Sequence, residues 1–279
     1  MANGKAVFYL LRLNRTIMVA LITGTGAYAA GAGVARSLWM VLAGWCLAVG
    51  GFSLDFYADR AADSVPAWIG IRHNPLAGGQ VSPRVGLAFS LAFIAASLVL
   101  TAWLSPPSLV PWVVIAAVIG DLALHRFETP LGRALTLGGL QGLYVLMGGA
   151  AGALTPAVWL LAGLFFFAMV GGRGMIDIRD LAQDEEAGVA TLPRRYGVQR
   201  TALFSAVCLL IASALSVAVY ATGELRPVYM CLDATFVAAV VACAGLFVGR
   251  PTPRLAYVLT LVCMMGAGTL ICAAVVLGS

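Results

Sequence analysis

Long apolar stretches separated by short polar joints run through the chain. A bilayer core is crossed by about 20 mostly apolar residues in helical form. Runs of that kind fall at residues 16–34, 37–57, 84–104, 109–125, 134–153, 156–176, 201–221, 229–249 and 255–277. The fourth is short, with Pro106, Pro107 and Pro111 at the turn before it and within its start, and Pro156 opens the sixth. The first run follows Lys5, Arg12 and Arg15 and has the outline of a signal peptide. It is glycine-rich and as long as a span, and no soluble domain follows, so it is read as the first transmembrane helix. The pattern predicts an all-α, polytopic membrane protein with nine transmembrane helices, forming one transmembrane domain over residues 1–279.

Composition agrees. The chain is 61% hydrophobic and 10% charged, with a mean hydropathy of +0.96, whereas soluble domains are about 25% charged. Its 32 glycines suit close helix approach in lipid. With nine spans, 15 of the 17 basic residues fall on the side holding the N-terminus and the joints after even-numbered spans; only Arg36 and Arg226 fall on the other. The positive-inside rule then places the N-terminus and those joints in the cytoplasm and the C-terminus outside, in a cell inner or plasma membrane. The formal net charge of +5 is therefore topological, and no nucleic-acid partner is expected. The six cysteines all lie in apolar stretches without a C-x-x-C pair. They read as small buried hydrophobes rather than a disulfide framework or zinc site.

Acidic residues change the picture most. Of twelve, six fall in two clusters: Asp55, Asp59 and Asp63, then Asp177, Asp180 and Asp184. Steps of four residues advance a helix by about 400°, so the first three share a slowly drifting stripe; the second three fall within roughly 60° of one another. Each cluster closes an even-numbered span. The ordinary explanation of one such cluster is a solvated helix end with an Asp paired to Arg60 or Arg179. Two clusters at equivalent positions point instead to a shared task. Crowded carboxylates need a counter-cation, and hard oxygen donors suit Mg²⁺, which binds jointly with substrate phosphates. Glu128, Glu185, Glu186 and Glu224 read as loop charges. Asp121 and Asp233 lie within apolar runs, where an acid is a functional candidate by default. Paired Asp-rich helices fit the ionisation of a prenyl diphosphate, in which metal ions stabilise the departing pyrophosphate and leave an allylic cation. Arginines clamp the phosphates, and aromatic residues such as Phe56, Tyr57 and Tyr144 can face the cation.

The motifs resemble those of the UbiA superfamily of intramembrane prenyltransferases. D-F-Y-A-D-R-A-A-D, from Asp55 to Asp63, is similar to N-D-x-x-D-x-x-x-D. R-H-N-P-L-A-G-G-Q-V-S, from Arg72 to Ser82, is similar to R-P-x-x-S-G-x-x-S. D-I-R-D-L-A-Q-D-E-E-A-G-V-A-T-L-P, from Asp177 to Pro193, is similar to D-x-x-D-x-x-x-D followed by G-x-x-T-L-P. L-H-R-F-E-T-P-L-G-R, from Leu124 to Arg133, is like L-K-R-x-x-x-x-G, and L-L-R-L-N, from Leu10 to Asn14, is like the N-terminal motif. The resemblance implies nine helices around a central cavity. It implies Mg²⁺ and diphosphate binding by Asp55, Asp59, Asp63, Asp177, Asp180 and Asp184, with Asp55, Asp59, Asp180 and Asp184 catalytic. It implies phosphate contacts from Arg12, Arg72 and Arg126, and Tyr57 and Tyr144 are expected at the substrate. The chain departs from the pattern at Asp55-Phe56, where Asn-Asp is usual, at Ile176 and His125, where lysines are usual, and at Gly172, where a tyrosine is usual.

The function expected is transfer of an isoprenyl chain from its diphosphate to a small aromatic or other lipophilic acceptor. The alternative on the same scaffold is a terpene cyclase, in which an internal double bond captures the cation. A transporter would place its acids mid-span on broken helices; here the clusters lie at span ends.

Overall fold

The computed structural model describes residues 8–60, 74–124, 129–186 and 188–278. Among these residues all regular structure is helical: α1 (Leu13–Ala29), α2 (Val34–Asp59), α3 (Pro83–Leu104), a 3₁₀ turn at Pro106–Ser108, α4 (Leu109–Leu124), α5 (Pro130–Gly149), α6 (Pro156–Arg179), α7 (Leu181–Glu186), α8 (Leu192–Tyr196), α9 (Val198–Ala221), α10 (Pro227–Gly249) and α11 (Pro253–Thr260). A π-helical segment, Leu261–Ala267, joins α11 to α12 (Gly268–Gly278).

Local chemistry sets many of the starts. Pro83, Pro130, Pro156, Pro227 and Pro253 each open a helix, where proline's missing N–H costs nothing and its φ is already helical. The Ser82, Thr129 and Thr252 side chains cap three of these helices by accepting from the N–H of Val85, Gly132 and Leu255.

Among the described residues seven segments are long and apolar enough to cross a membrane, against the nine expected. The other two expected spans are helical but fall short. Helix α1 has 17 residues, and α5, with 20, is diluted by glycines, Arg133 and Gln141. The last span is continuous over Pro253–Gly278, with the π segment inside it.

Helix α1 packs on α2 and α5, α2 on α3, α5 on α6, α6 on α9, α9 on α10 and α10 on α12; α12 returns to α1 and closes the ring. Helices α1 and α5 meet backbone to backbone, since a Cβ at Gly26 would run into the Val145 carbonyl and one at Gly148 into the Thr23 carbonyl. Such small-residue contacts replace the hydrophobic drive that is missing between helices in lipid. Serines add interhelical bonds: Ser90 Oγ donates to the Gly50 carbonyl at 2.7 Å and Ser97 Oγ to that of Ala43 at 2.8 Å. Trp112 Nε1 donates to Ser97 Oγ at 3.0 Å, tying α4 to the same pair. Four spans apart in the alternating order, α2 and α6 run the same way, so their acid-bearing C-terminal ends lie at the same end of the bundle.

Candidate active site

The first acidic ladder occupies the last turns of α2. Asp55 is half exposed, and its Oδ2 lies 3.1 Å from Arg12 Nη1. Arg12 caps the start of α1 with a φ of 42°, the single positive value at a non-glycine among the described residues. Its guanidinium lies 3.6 Å from the centre of the Phe56 ring and 5.5 Å from that of Phe52. Ser53 Oγ donates to the Leu10 carbonyl at 3.2 Å, which straps the segment before α1 onto α2. Asp59 is partly exposed one turn beyond Asp55. Tyr57 is half-buried under the Arg60 guanidinium, at 4.4 Å, and its carbonyl accepts from Arg60 Nη1.

Asn74 ties the following loop to this helix end. Its Nδ2 donates to the Phe56 carbonyl at 2.9 Å, while its Oδ1 accepts from the N–H of Leu76 at 3.0 Å. Gly79, at φ 67°, supplies the left-handed turn that brings the chain back toward α3.

The second ladder ends α6 and continues into α7. Asp177 is buried; Arg173 Nη2 stands 2.6 Å from its Oδ1, and the Leu192 N–H donates to its Oδ2 at 3.3 Å. One carboxylate thus holds the helix and the Thr191–Pro193 return together. Arg179 binds Asp180 with two parallel bonds of 2.7 Å. Asp184 is buried, and its backbone carbonyl accepts from the Val189 N–H at 2.9 Å and from Arg194 Nη1 at 3.2 Å. Gly188 makes the intervening turn at φ 68°.

Arg15 sits near the start of α1, where it feels charges from both helix ends. It lies within electrostatic range of Arg12 and Asp55 on one side and of Arg173 and Arg179 on the other. The structure therefore brings Asp55, Asp59, Asp177, Asp180 and Asp184 to one end of the bundle, interleaved with arginines. Tyr144 is buried on α5 in the main core, away from the helix ends. Asp63, Arg72, Arg126, His73 and His125 lie outside the described residues. Of the ordinary pairings expected for a solvated helix end, Arg179 with Asp180 is present.

Sequence reading did not single out Arg15, Arg173 or Asn74 as site residues. Arg173 carried a signal, since it precedes Asp177 by one helical turn. Asn74 carried none, because its partner lies across a loop.

The donor set fits a hard divalent cation in kind: the described acids offer carboxylate oxygens, and all six cysteines lie elsewhere in the bundle. Among the described residues no three His, Cys, Asp or Glu side chains are grouped as a ready-made metal cage. Three of the acids are held by arginines instead. An arginine-paired carboxylate is neutralised until a stronger cation displaces its partner, and the released arginines then suit a phosphate.

The fold and this charged end define a polytopic, all-helical membrane protein with paired acidic and basic side chains at its helix ends. A family model described as the UbiA prenyltransferase family matches residues 17–262. The chain belongs to that family of prenyl-transferring enzymes. It is 31% identical to the digeranylgeranylglyceryl phosphate synthase of Halobacterium salinarum over 229 residues, covering 80% of each chain. It is 31% identical over 196 residues to the protoheme IX farnesyltransferase of Salinispora tropica, covering 67% of this chain and 61% of that one. The solved structure of a UbiA homolog from Archaeoglobus fulgidus, bound to DMAPP and Mg²⁺, superposes with a TM-score of 0.69 at 16% identity, covering 94% and 97% of the two chains.

Proposed function

We propose that this chain is a Mg²⁺-dependent intramembrane prenyltransferase, a single domain of nine spans with its N-terminus and acidic ladders in the cytoplasm. It ionises a prenyl diphosphate and moves the isoprenyl chain to a lipophilic acceptor. The observation that carries this reading is that acids at the ends of both α2 and α6 are held by arginines, Asp55 by Arg12, Asp177 by Arg173 and Asp180 by Arg179, which supports reading them as one ionic site. Relatives named for a glyceryl phosphate lipid and for protoheme IX support a lipophilic acceptor.

Asp55, Asp59 and Asp63 from α2 and its joint, with Asp177, Asp180 and Asp184 from α6 and α7, are the groups that hold Mg²⁺. A divalent metal held by these carboxylates would supply positive charge to a departing pyrophosphate and so lower the cost of breaking the allylic C–O bond. Arg12, Arg72 and Arg126 hold phosphate oxygens and keep the leaving group from recombining. Asp177 also keeps the Thr191–Pro193 return against α6. The isoprenyl tail runs among the apolar helices, where Tyr144 faces it; Tyr57 lies nearer the diphosphate. The acceptor then attacks the allylic carbon and loses a proton.

The test is release of pyrophosphate by the purified protein in detergent, with Mg²⁺ and prenyl diphosphates of several lengths, with and without a lipid extract. Release that depends on the extract, with a prenylated product, is expected. Release with a hydrocarbon or alcohol product and no acceptor establishes the cyclase instead. No release under any condition overturns the ionisation shared by both.

A further inference from the structure

Four of the five consecutive residues from Phe52 to Phe56 serve one short segment, Leu10–Arg12. Ser53 holds the Leu10 carbonyl. Asp55 pairs with the Arg12 guanidinium at Nη1, and the central carbon of that guanidinium lies over the Phe56 ring and, further off, the Phe52 ring. Leu10 is itself fully buried, in a small cluster with Phe56, Leu76 and Val81. Asn74 fixes the Phe56 backbone from the other side.

This much support explains how Arg12 keeps a left-handed backbone. Strained conformations of non-glycine residues persist only where the surroundings over-determine them, and they gather at functional sites. The direction of the contact matters as well. An aromatic ring attracts a guanidinium through its flat face, whereas the N–H donors radiate from the edge. Seated over Phe56, Arg12 is positioned by a contact that does not itself draw on the donors that bind anions. Asp55 already shows an anion taking that edge.

We propose that Phe56 is a positioning residue for prenyl transfer: its ring, aided by Phe52 and Asp55, holds Arg12 edge-on to the diphosphate. The inference rests on Arg12 being a phosphate contact, as proposed above. It gives a purpose to the Asp55-Phe56 departure from the motif, where a carboxylate is exchanged for a platform under a cation. Asp55 then serves the site first by holding Arg12 and can pass to Mg²⁺ when diphosphate takes the arginine.

The experiment is a double-mutant cycle on the full chain in detergent, with wild type, Phe56→Leu, Arg12→Ala and the double variant, and Phe56→Tyr as the conservative rescue. KM for prenyl diphosphate, kcat, and the affinity for Mg²⁺-pyrophosphate by calorimetry are measured for each. Phe56→Leu is expected to raise KM and weaken pyrophosphate binding by about three- to tenfold, the range of a partly desolvated cation–π contact, with kcat within about twofold. Phe56→Tyr is expected to restore both. In the Arg12→Ala background the Phe56→Leu effect is expected to vanish, which a purely structural role would not produce. If Phe56→Leu does not fold, Phe56→Met takes its place. Wild-type affinity without the ring, or the same loss with and without Arg12, overturns the proposal. Absence of turnover in the wild type overturns the transferase reading instead, and the pyrophosphate affinities still decide the clamp.

Discussion

The ion pair of Arg173 and Asp177 gives the sharpest stability prediction. Their side chains are 9% and 3% exposed, and the closest atoms are 2.6 Å apart. Replacing Arg173 by Met keeps the apolar stem and removes the cation, so the Asp177 carboxylate is left buried with the Leu192 N–H as its remaining partner among the described residues. Removing one member of a buried pair costs about 3–5 kcal/mol, most of it the penalty of the stranded charge. The Leu192 bond, a charge-assisted one worth roughly 1.5–3 kcal/mol, keeps the loss near the lower end, about 3 kcal/mol. At roughly 2–4 °C per kcal/mol for a chain of this order of size, the melting temperature in detergent falls by about 6–12 °C. Asp177→Asn strands the guanidinium and is expected to fall by a similar amount. The Arg173→Met/Asp177→Asn double variant has no buried charge and is expected to regain most of the loss, while turnover stays low because the carboxylate is gone. Differential scanning fluorimetry and pyrophosphate release separate the two readouts. An Arg173→Met protein melting within about 2 °C of wild type, or a double variant no better than either single one, refutes the reasoning about the stranded charge.

Asp59→Ala and Asp180→Ala are expected to remove Mg²⁺-dependent pyrophosphate release while helix content by circular dichroism is unchanged; wild-type rates in either contradict the metal assignment. EDTA is expected to stop turnover and added Mg²⁺ to restore it, and activity that survives chelation rules out a dissociable metal. Gly148→Val pushes a side chain into the Thr23 carbonyl and is expected to destabilise by at least about 1–3 kcal/mol; Gly245→Ala, where a Cβ meets nothing within 4 Å, is the control expected to melt no lower than wild type. Asp233 is fully buried near the start of α10, with Ser216 beside it and, among the described residues, no hydrogen bond of good geometry to either carboxylate oxygen. Asp233→Asn removes a buried ionisable group without changing shape, so stability is expected to hold or rise and turnover to stay within about threefold; a larger fall in turnover gives Asp233 a part in the reaction.

The two acidic ladders were legible because helical spacing is a local property: residues three, four or seven apart share a face wherever the helix packs. The start of the sixth span was legible at Pro156, which opens α6; the fifth, expected from 134, begins four residues earlier at Pro130 behind the Thr129 cap. The span count was less so, because α1 and α5 trade apolar length for the glycines that let them touch, and composition alone scores that exchange as weakness. Least legible was the pairing of charges. Asp180 takes its adjacent arginine, Asp177 one a turn away and Asp55 one 43 residues earlier. Nothing in spacing separates those outcomes, since each depends on which helix end arrives beside which. Phe56 shows the consequence. Read along the chain, it is a lost carboxylate in an otherwise acidic motif. In space it lies beneath Arg12, and the same substitution that removes one negative charge fixes a positive one, so the site's capacity for an anion is kept by different means. A residue-by-residue comparison of motifs would count that change as damage. The arrangement instead predicts that restoring the motif with Phe56→Asp weakens pyrophosphate binding, because the added carboxylate competes for the Arg12 edge after its platform has been removed.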